Sequence, residues 1–131
     1  MTTLDTLDSV TPDVDEVSDA SLAMADFDAK MLKDEIFGPV APVKGFGDED
    51  EAIAAANDTE YGLVAYVYTR DIKRALRVCE GLETGMVGLN QGMVSNPAAP
   101  FGGVKASGFG REGGYEGIEE YLETKYIAVN L

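Results

Sequence analysis

Cys79 is the only thiol in this chain of 131 residues, and no histidine accompanies it. The first chemistry to weigh is therefore a cysteine nucleophile without an imidazole to activate it. No Ser-His-Asp or Cys-His pair can be assembled from these residues, nor a His-ligated or four-cysteine zinc site. Cys79 falls on the apolar stripe of a helical pattern, where burial raises a thiol's pKa and leaves it inert. A core role is expected for it. Gly108, Gly110 and Gly113 have the G-x-G-x-x-G spacing that lets a backbone approach a pyrophosphate at a helix N-terminus. That fingerprint must directly follow a strand and be followed by an acid about 20 residues on, within a βαβ unit. "FGGVKAS" is no strand, so the glycines are expected to let the loop cross close to other backbone, with Phe101 as its one large apolar side chain. The acids of "DEDE" (48–51) and "EEYLE" (119–123) suit helix ends and solvation better than paired acid-base work. Tyr61, Tyr66 and Tyr68 read as strand packing.

The composition, 45% hydrophobic and 26% charged, is that of one globular domain. The formal net charge of -14 argues against nucleic acid and anionic membranes as partners, since both require a basic surface. Residues 1–30 hold eight acids and one base, a solvated acidic leader expected to be disordered or weakly helical, with "SLAMADFDAKML" as a short helix candidate. There is no basic, apolar N-terminal signal, no run of about 18 apolar residues, and no possible intramolecular disulfide. A cytoplasmic setting is expected.

The elements that must position these residues are legible from residue 39 onward. "PVAPVKGF" predicts a first or edge strand near 39–46. "DEDEAIAAAND" predicts a helix capped by Asp48, with Glu51 completing a capping box, ending at Asn57. "YGLVAYVYT" (61–69) predicts a strand buried on both faces of a parallel sheet. "RDIKRALRVCEGLETG" places Ile72, Ala75, Leu76, Cys79 and Leu82 on one helical face, with Asp71 as N-cap and Gly85 closing the end. "MVGLN" (86–90) predicts the next strand. The order is β-α-β-α-β, the mark of an α/β fold with an open parallel sheet and right-handed crossovers. A Gly-rich loop (91–114), too long for a plain connector, follows. The chain closes with an amphipathic helix, "YEGIEEYLE", and a strand, "KYIAVNL", that needs a partner for its edge.

"DEIFGPVAPV", "ANDTEYGLVAYVYTRD", "GMVGLN" and "APFGGVKASGFGREGG…GIEEYLETKY" together resemble the C-terminal portion of the aldehyde dehydrogenase superfamily, with wording most similar to its succinate-semialdehyde dehydrogenases. The resemblance runs from about Lys33 to Leu131. It implies an acidic leader at 1–30 and a C-terminal catalytic-domain fragment at 31–131, from an enzyme that oxidises an aldehyde to an acid with NAD or NADP through a thiohemiacetal and a thioester. It implies that Glu35 holds the ribose hydroxyls of the nicotinamide half, that Phe37 packs near the nicotinamide, and that Phe101 lines the aldehyde tunnel. Asn90 is then a structural residue near that tunnel. Ser95 falls where the succinate-semialdehyde enzymes place a serine on the substrate's distal carboxylate. Arg70, Arg74, Arg77 and Arg111 do not match the positions of the arginines that assist there.

The departures bear on activity. The family's catalytic cysteine and general-base glutamate lie before "EIFGPV", and neither is among these residues; Cys79 is no substitute. The cofactor-binding half is also not included, so tight binding of NAD or NADP is not expected of these residues. "VTPD" (10–13) resembles the segment before "EIFGPV", with extra acidic residues between the two. The expectation is thus a partial aldehyde dehydrogenase, inactive by itself. The alternative is a non-catalytic interaction module that self-associates, or adds a strand to a full-length aldehyde dehydrogenase, through residues 125–131.

Overall fold

The computed structural model describes residues 2–5, 21–24, 32, 34 and 37–131. Its strands are β1 (Thr2–Asp5), β2 (Ser21–Met24), β3 (Val40–Val43), β4 (Tyr61–Gly62), β5 (Val64–Tyr68), β6 (Met86–Leu89) and β7 (Val104–Lys105). The described residues also form α-helices α1 (Glu49–Asn57) and α2 (Ile72–Gly81) and a 3-10 helix over Glu116–Tyr121.

Both α-helices start where local chemistry says they should. The Asp48 carboxylate accepts from the Glu51 backbone N–H at 2.9 Å, while Glu51 reaches back to the Gly47 N–H at 2.6 Å. This is a capping box displaced by one residue. Asp71 accepts from the N–H groups of Lys73 and Arg74, and α1 ends at Asn57 as its pattern predicts. The end of α2 differs from expectation. It stops at Gly81 with Leu82 as C-cap, and Gly85 instead leads into β6, where its missing Cβ leaves room for the carbonyl of Gly102.

β5 is the centre of a parallel sheet ordered β1-β5-β6, joined to β6 through α2. Ala65 and Val67 are fully buried and Tyr66 nearly so, which is how a strand covered on both faces looks. On one face Ala65 and Val67 meet Ala52 and Ala56 of α1 and Val78 and Leu82 next to α2, with Phe46, Ile53 and Cys79 around them. On the other, the Tyr66 ring lies over Gly88 so closely that a Cβ there would sit 2.6 Å from it.

Among the described residues the β-α-β-α-β order does not make a single sheet. There β5-α2-β6 is a β-α-β unit, whereas β3 pairs in parallel with β2 and β1 takes the place beside β5. Pro42 gives β3 no N–H to offer a ladder at that position, which suits a short edge pairing rather than a sheet interior. The segment 21–24, expected within a short helix, is strand β2, and the remainder of that helix candidate and most of the leader lie outside the described residues. The strand expected over 61–69 is split at Leu63: β4 turns to pair antiparallel with β7. Gly62 permits this, since a Cβ there would meet Glu83 O and Val104 Cγ2 at 2.7 Å.

Two more expectations are corrected. The stripe expected of α2 is only partly used: Ala75 and Leu82 are buried and Cys79 half-buried, while Ile72 and Leu76 are 66% and 57% exposed and Val78, outside the stripe, is buried in their stead. At the C-terminus, the amphipathic helix is a six-residue 3-10 helix burying none of its residues, and 125–131 is not a strand. A strand requires a ladder to join, and no described residue pairs with this segment. Tyr126, Ile127 and Val129 remain exposed. Among the described residues no helix is long and apolar enough to cross a membrane.

Candidate functional site

β5 and β6 run parallel, so both end on one edge of their sheet, and the loop 91–114 leaves from there. In open α/β sheets this carboxyl edge is where ligands are bound. Asn90 makes the exit. Its backbone φ of 52° turns the chain out of β6, its N–H donates to Val67 O at 2.8 Å, and its side-chain amide both accepts from Thr69 N–H and donates to Thr69 O, each at 2.9 Å. The structural role expected of Asn90 is what this geometry performs.

The loop is stitched to itself. Ala98 N–H donates to Asn96 Oδ1 at 3.0 Å, and Gly114 N–H to Pro97 O at 3.1 Å. Phe101 and Glu112 exchange two backbone hydrogen bonds of 2.7 Å. Further along, the expectation that "FGGVKAS" is no strand is corrected: its Val104 and Lys105 form β7, which docks on β4, and Ser107 Oγ accepts from Gly62 N–H at 2.9 Å. The glycines permit these crossings: a Cβ on Gly102 would lie 2.6 Å from Gly110 O, and one on Gly114 2.8 Å from Pro100 N. Gly108, Gly110 and Gly113 all have positive φ and serve such turns. No α-helix follows them, and Glu116 and Glu119 open the 3-10 helix with charges that repel phosphate.

Ser95 and Phe101 therefore share one loop. Ser95 is exposed, and Phe101 keeps its ring 37% exposed while its backbone is fixed. Phe37 is 90% exposed, and Glu35 lies outside the described residues. A shallow open depression at the end of α1 is lined by Asn57, Asp58, Thr59 and Glu60, with the wrong charge for a pyrophosphate. No group of three or more candidate metal ligands occurs among the described residues.

Cys79 is half-buried against the core. Burial, and secondarily the charge of Glu80, push its thiol above the ordinary range, so at neutral pH it carries its proton. Of the "DEDE" carboxylates, Glu51 is a cap and Glu49 bridges to α2, meeting Arg77 at 2.8 Å and Arg74 at 3.3 Å. The Arg77 hydrogen bond foremost holds the Glu49 carboxyl below its usual range.

Three polar residues that carry the architecture were not singled out for those roles by the sequence. Asn57 donates to Gly81 O and accepts from Glu83 N–H, both at 2.8 Å, tying the ends of the two α-helices together. Lys105 Nζ donates to Asn57 O at 2.9 Å and pairs with Glu83 at 2.6 Å. Arg111 Nη1 donates to Gly103 O at 2.8 Å and to Gly110 O at 2.7 Å. The sequence signal was present in one respect: Arg111 stands inside a glycine run, where backbone carbonyls have few side chains to shield them.

The description of the aldehyde dehydrogenase family matches residues 21–127, beginning at β2 and so ahead of the expected start near Lys33. The NADP(+)-linked succinate-semialdehyde dehydrogenase of Escherichia coli K12 is 59% identical over 103 residues, 79% of this chain and 21% of the relative. Glutarate-semialdehyde dehydrogenase of Pseudomonas putida KT2440 is 57% identical over 103 residues, 79% of this chain and 22% of the relative. Among solved structures, the betaine aldehyde dehydrogenase of Staphylococcus aureus in complex with NAD+ superposes with a TM-score of 0.74 at 47% identity, over 79% of this chain and 20% of that one. The chain spans about a fifth of the length of the relatives it matches. With the match covering β2 through the 3-10 helix and the stitched loop alike, the chain belongs to the aldehyde dehydrogenase family.

Proposed function

We propose that these residues form the substrate-loop portion of an NAD(P)-dependent aldehyde dehydrogenase acting on a semialdehyde with a distal carboxylate, succinate semialdehyde foremost, and that they do not turn it over by themselves. The observation that carries this reading is Phe101, with its backbone fixed by Glu112 and the residue left 37% exposed in the loop that leaves the sheet at Asn90. In the proposal Phe101 lines the aldehyde tunnel and the exposed Ser95 hydroxyl donates to the distal carboxylate. Glu35 and Phe37 contribute to the nicotinamide end, the cofactor accepting hydride from the aldehyde carbon when bound. Cys79, protonated and packed against the core, is no nucleophile. A reducing, cytoplasmic setting suits the single thiol, and the acidic surface disfavours nucleic acid and anionic lipid.

The experiment has two arms. The purified chain, given succinate semialdehyde with NAD or NADP, should form no reduced cofactor; turnover abolished by Cys79→Ala would overturn the proposed inactivity. Residues 33–131 exchanged into the E. coli relative should preserve succinate-semialdehyde oxidation, with Ser95→Ala raising KM about tenfold through loss of a hydrogen bond to a charged group. An unchanged KM removes Ser95 from the proposal.

A second reading is favoured by the exposed, unpaired segment 125–131. As an interaction module, the chain would add this segment as a strand to a full-length aldehyde dehydrogenase or to a second copy of itself. Co-purification with the E. coli relative should then be lost on deleting 125–131, and no complex at micromolar concentration ends this reading.

A further inference from the structure

Phe101 is followed by Gly102 and Gly103, which have no side chains with which to fix the turn that presents it. The compensating contact comes from Arg111. Its Nη1 donates to Gly103 O at 2.8 Å and Gly110 O at 2.7 Å, so one guanidinium nitrogen links the two arms of the loop on the far side of the Phe101–Glu112 pair. The stem of Arg111 also fills space over the turn: its Cδ lies 2.9 Å from where a Cβ on Gly102 would be. In a chain with 24 acids and 10 bases, a half-buried guanidinium engaged with two carbonyls rather than a carboxylate is set apart from Arg74 and Arg77, which both meet Glu49.

We propose that Arg111 is a positioning residue that fixes Phe101 in the substrate loop by bridging the carbonyls of Gly103 and Gly110. This rests on the substrate-loop reading above. Arg111 does not touch substrate in this account; it sets how far the Phe101 ring stands out from the loop, and hence the width left for an aldehyde chain. The planar, pre-organised guanidinium suits two carbonyls at fixed separation, whereas a lysine ammonium on its flexible stem holds them less well.

The test is amide hydrogen exchange on the full 131-residue chain carrying Arg111→Met, which keeps a stem without donors, and Arg111→Lys, which keeps charge and donors without the planar guanidinium. The Phe101 and Glu112 amides should exchange about tenfold faster in R111M, and by a smaller factor in R111K, since local opening is governed by the bonds that close the loop. The Ala75 and Met86 amides, in α2 and β6, should be unchanged in both. Unchanged protection of Phe101 and Glu112 in R111M overturns the proposal. So does uniform loosening of all four amides in both variants, which would make Arg111 a general stability residue. Exchange is read without aldehyde, so failure here leaves the exchange-of-segment enzyme assay standing, and failure of that assay leaves the loop readout standing.

Discussion

Asn90 and Thr69 hold each other by two hydrogen bonds of 2.9 Å, the Asn90 amide accepting from the Thr69 N–H and donating to the Thr69 carbonyl. Thr69 is buried, and its hydroxyl in turn accepts from Asp71 N–H at 3.2 Å, at the N-cap of α2. The exit of β5, the start of α2 and the departure of the loop 91–114 are thereby coupled at one point.

Asn90→Ala should therefore cost about 2–3 kcal/mol, from two lost side-chain bonds and a positive φ that alanine adopts poorly. Asn90→Gly relieves only the backbone term and should fall between. Urea midpoints of the three chains give the order, and equal midpoints for Ala and Gly would show that backbone conformation contributes nothing here.

Asn57→Ala opens the link between the ends of α1 and α2, leaving Gly81 O and Glu83 N–H without their partner. A loss of about 1–2 kcal/mol is expected by the same denaturation measurement. Asn57→Asp should rescue only in part, since a carboxylate can accept from Glu83 but cannot donate to Gly81.

Glu49 and Asp71 both have carboxyls held below their ordinary range, the first foremost by Arg77 and the second foremost by the Arg74 backbone N–H. Groups depressed in the fold stabilise it fully above the unfolded carboxylate range of about 4 and lose that contribution as pH falls through the lower folded values. Melting temperature should decline with acidification below about pH 4, and Glu49→Gln should flatten that decline. Asp71 is exposed and Glu49 only half-buried in a surface ion pair, so the flattening should be small and should shrink in salt.

Cys79 should label slowly with a thiol-reactive disulfide at neutral pH and accelerate as pH rises beyond the ordinary thiol range, because burial holds the thiol up. Cys79→Ala should cost about 1 kcal/mol through lost packing. Rapid labelling at neutral pH would contradict the buried setting.

Gly85→Ala places a Cβ against the Gly102 carbonyl, backbone against backbone, with no flexible side chain to yield. A destabilisation of about 2–4 kcal/mol is expected. Increased proteolysis within residues 91–114 would locate the damage in the loop, whereas a fully parental melting profile would show that the two backbones part freely.

The features readable before any fold were local or dense in motif. Asp48 and Asp71 cap their helices through bonds spanning two or three residues, so the caps were readable without any fold. The apolar run around Ala65 and Val67 announced a strand covered on both sides, and the ordered phrases from "IFGPV" to "EEYLE" carried the family. Tertiary structure alone decided which strands pair. β3 went to β2, β1 came beside β5, and 61–69 broke at Leu63 because β7, 42 residues beyond Gly62, arrives there. Periodicity reports which faces are apolar but not which edge a strand meets. The same limit hid Ile72 and Leu76, apolar at helical spacing yet uncovered, and 125–131, extended in pattern yet without a ladder. Arg111 was named in the sequence without a partner, since its partners are backbone carbonyls of glycines, which no residue type records.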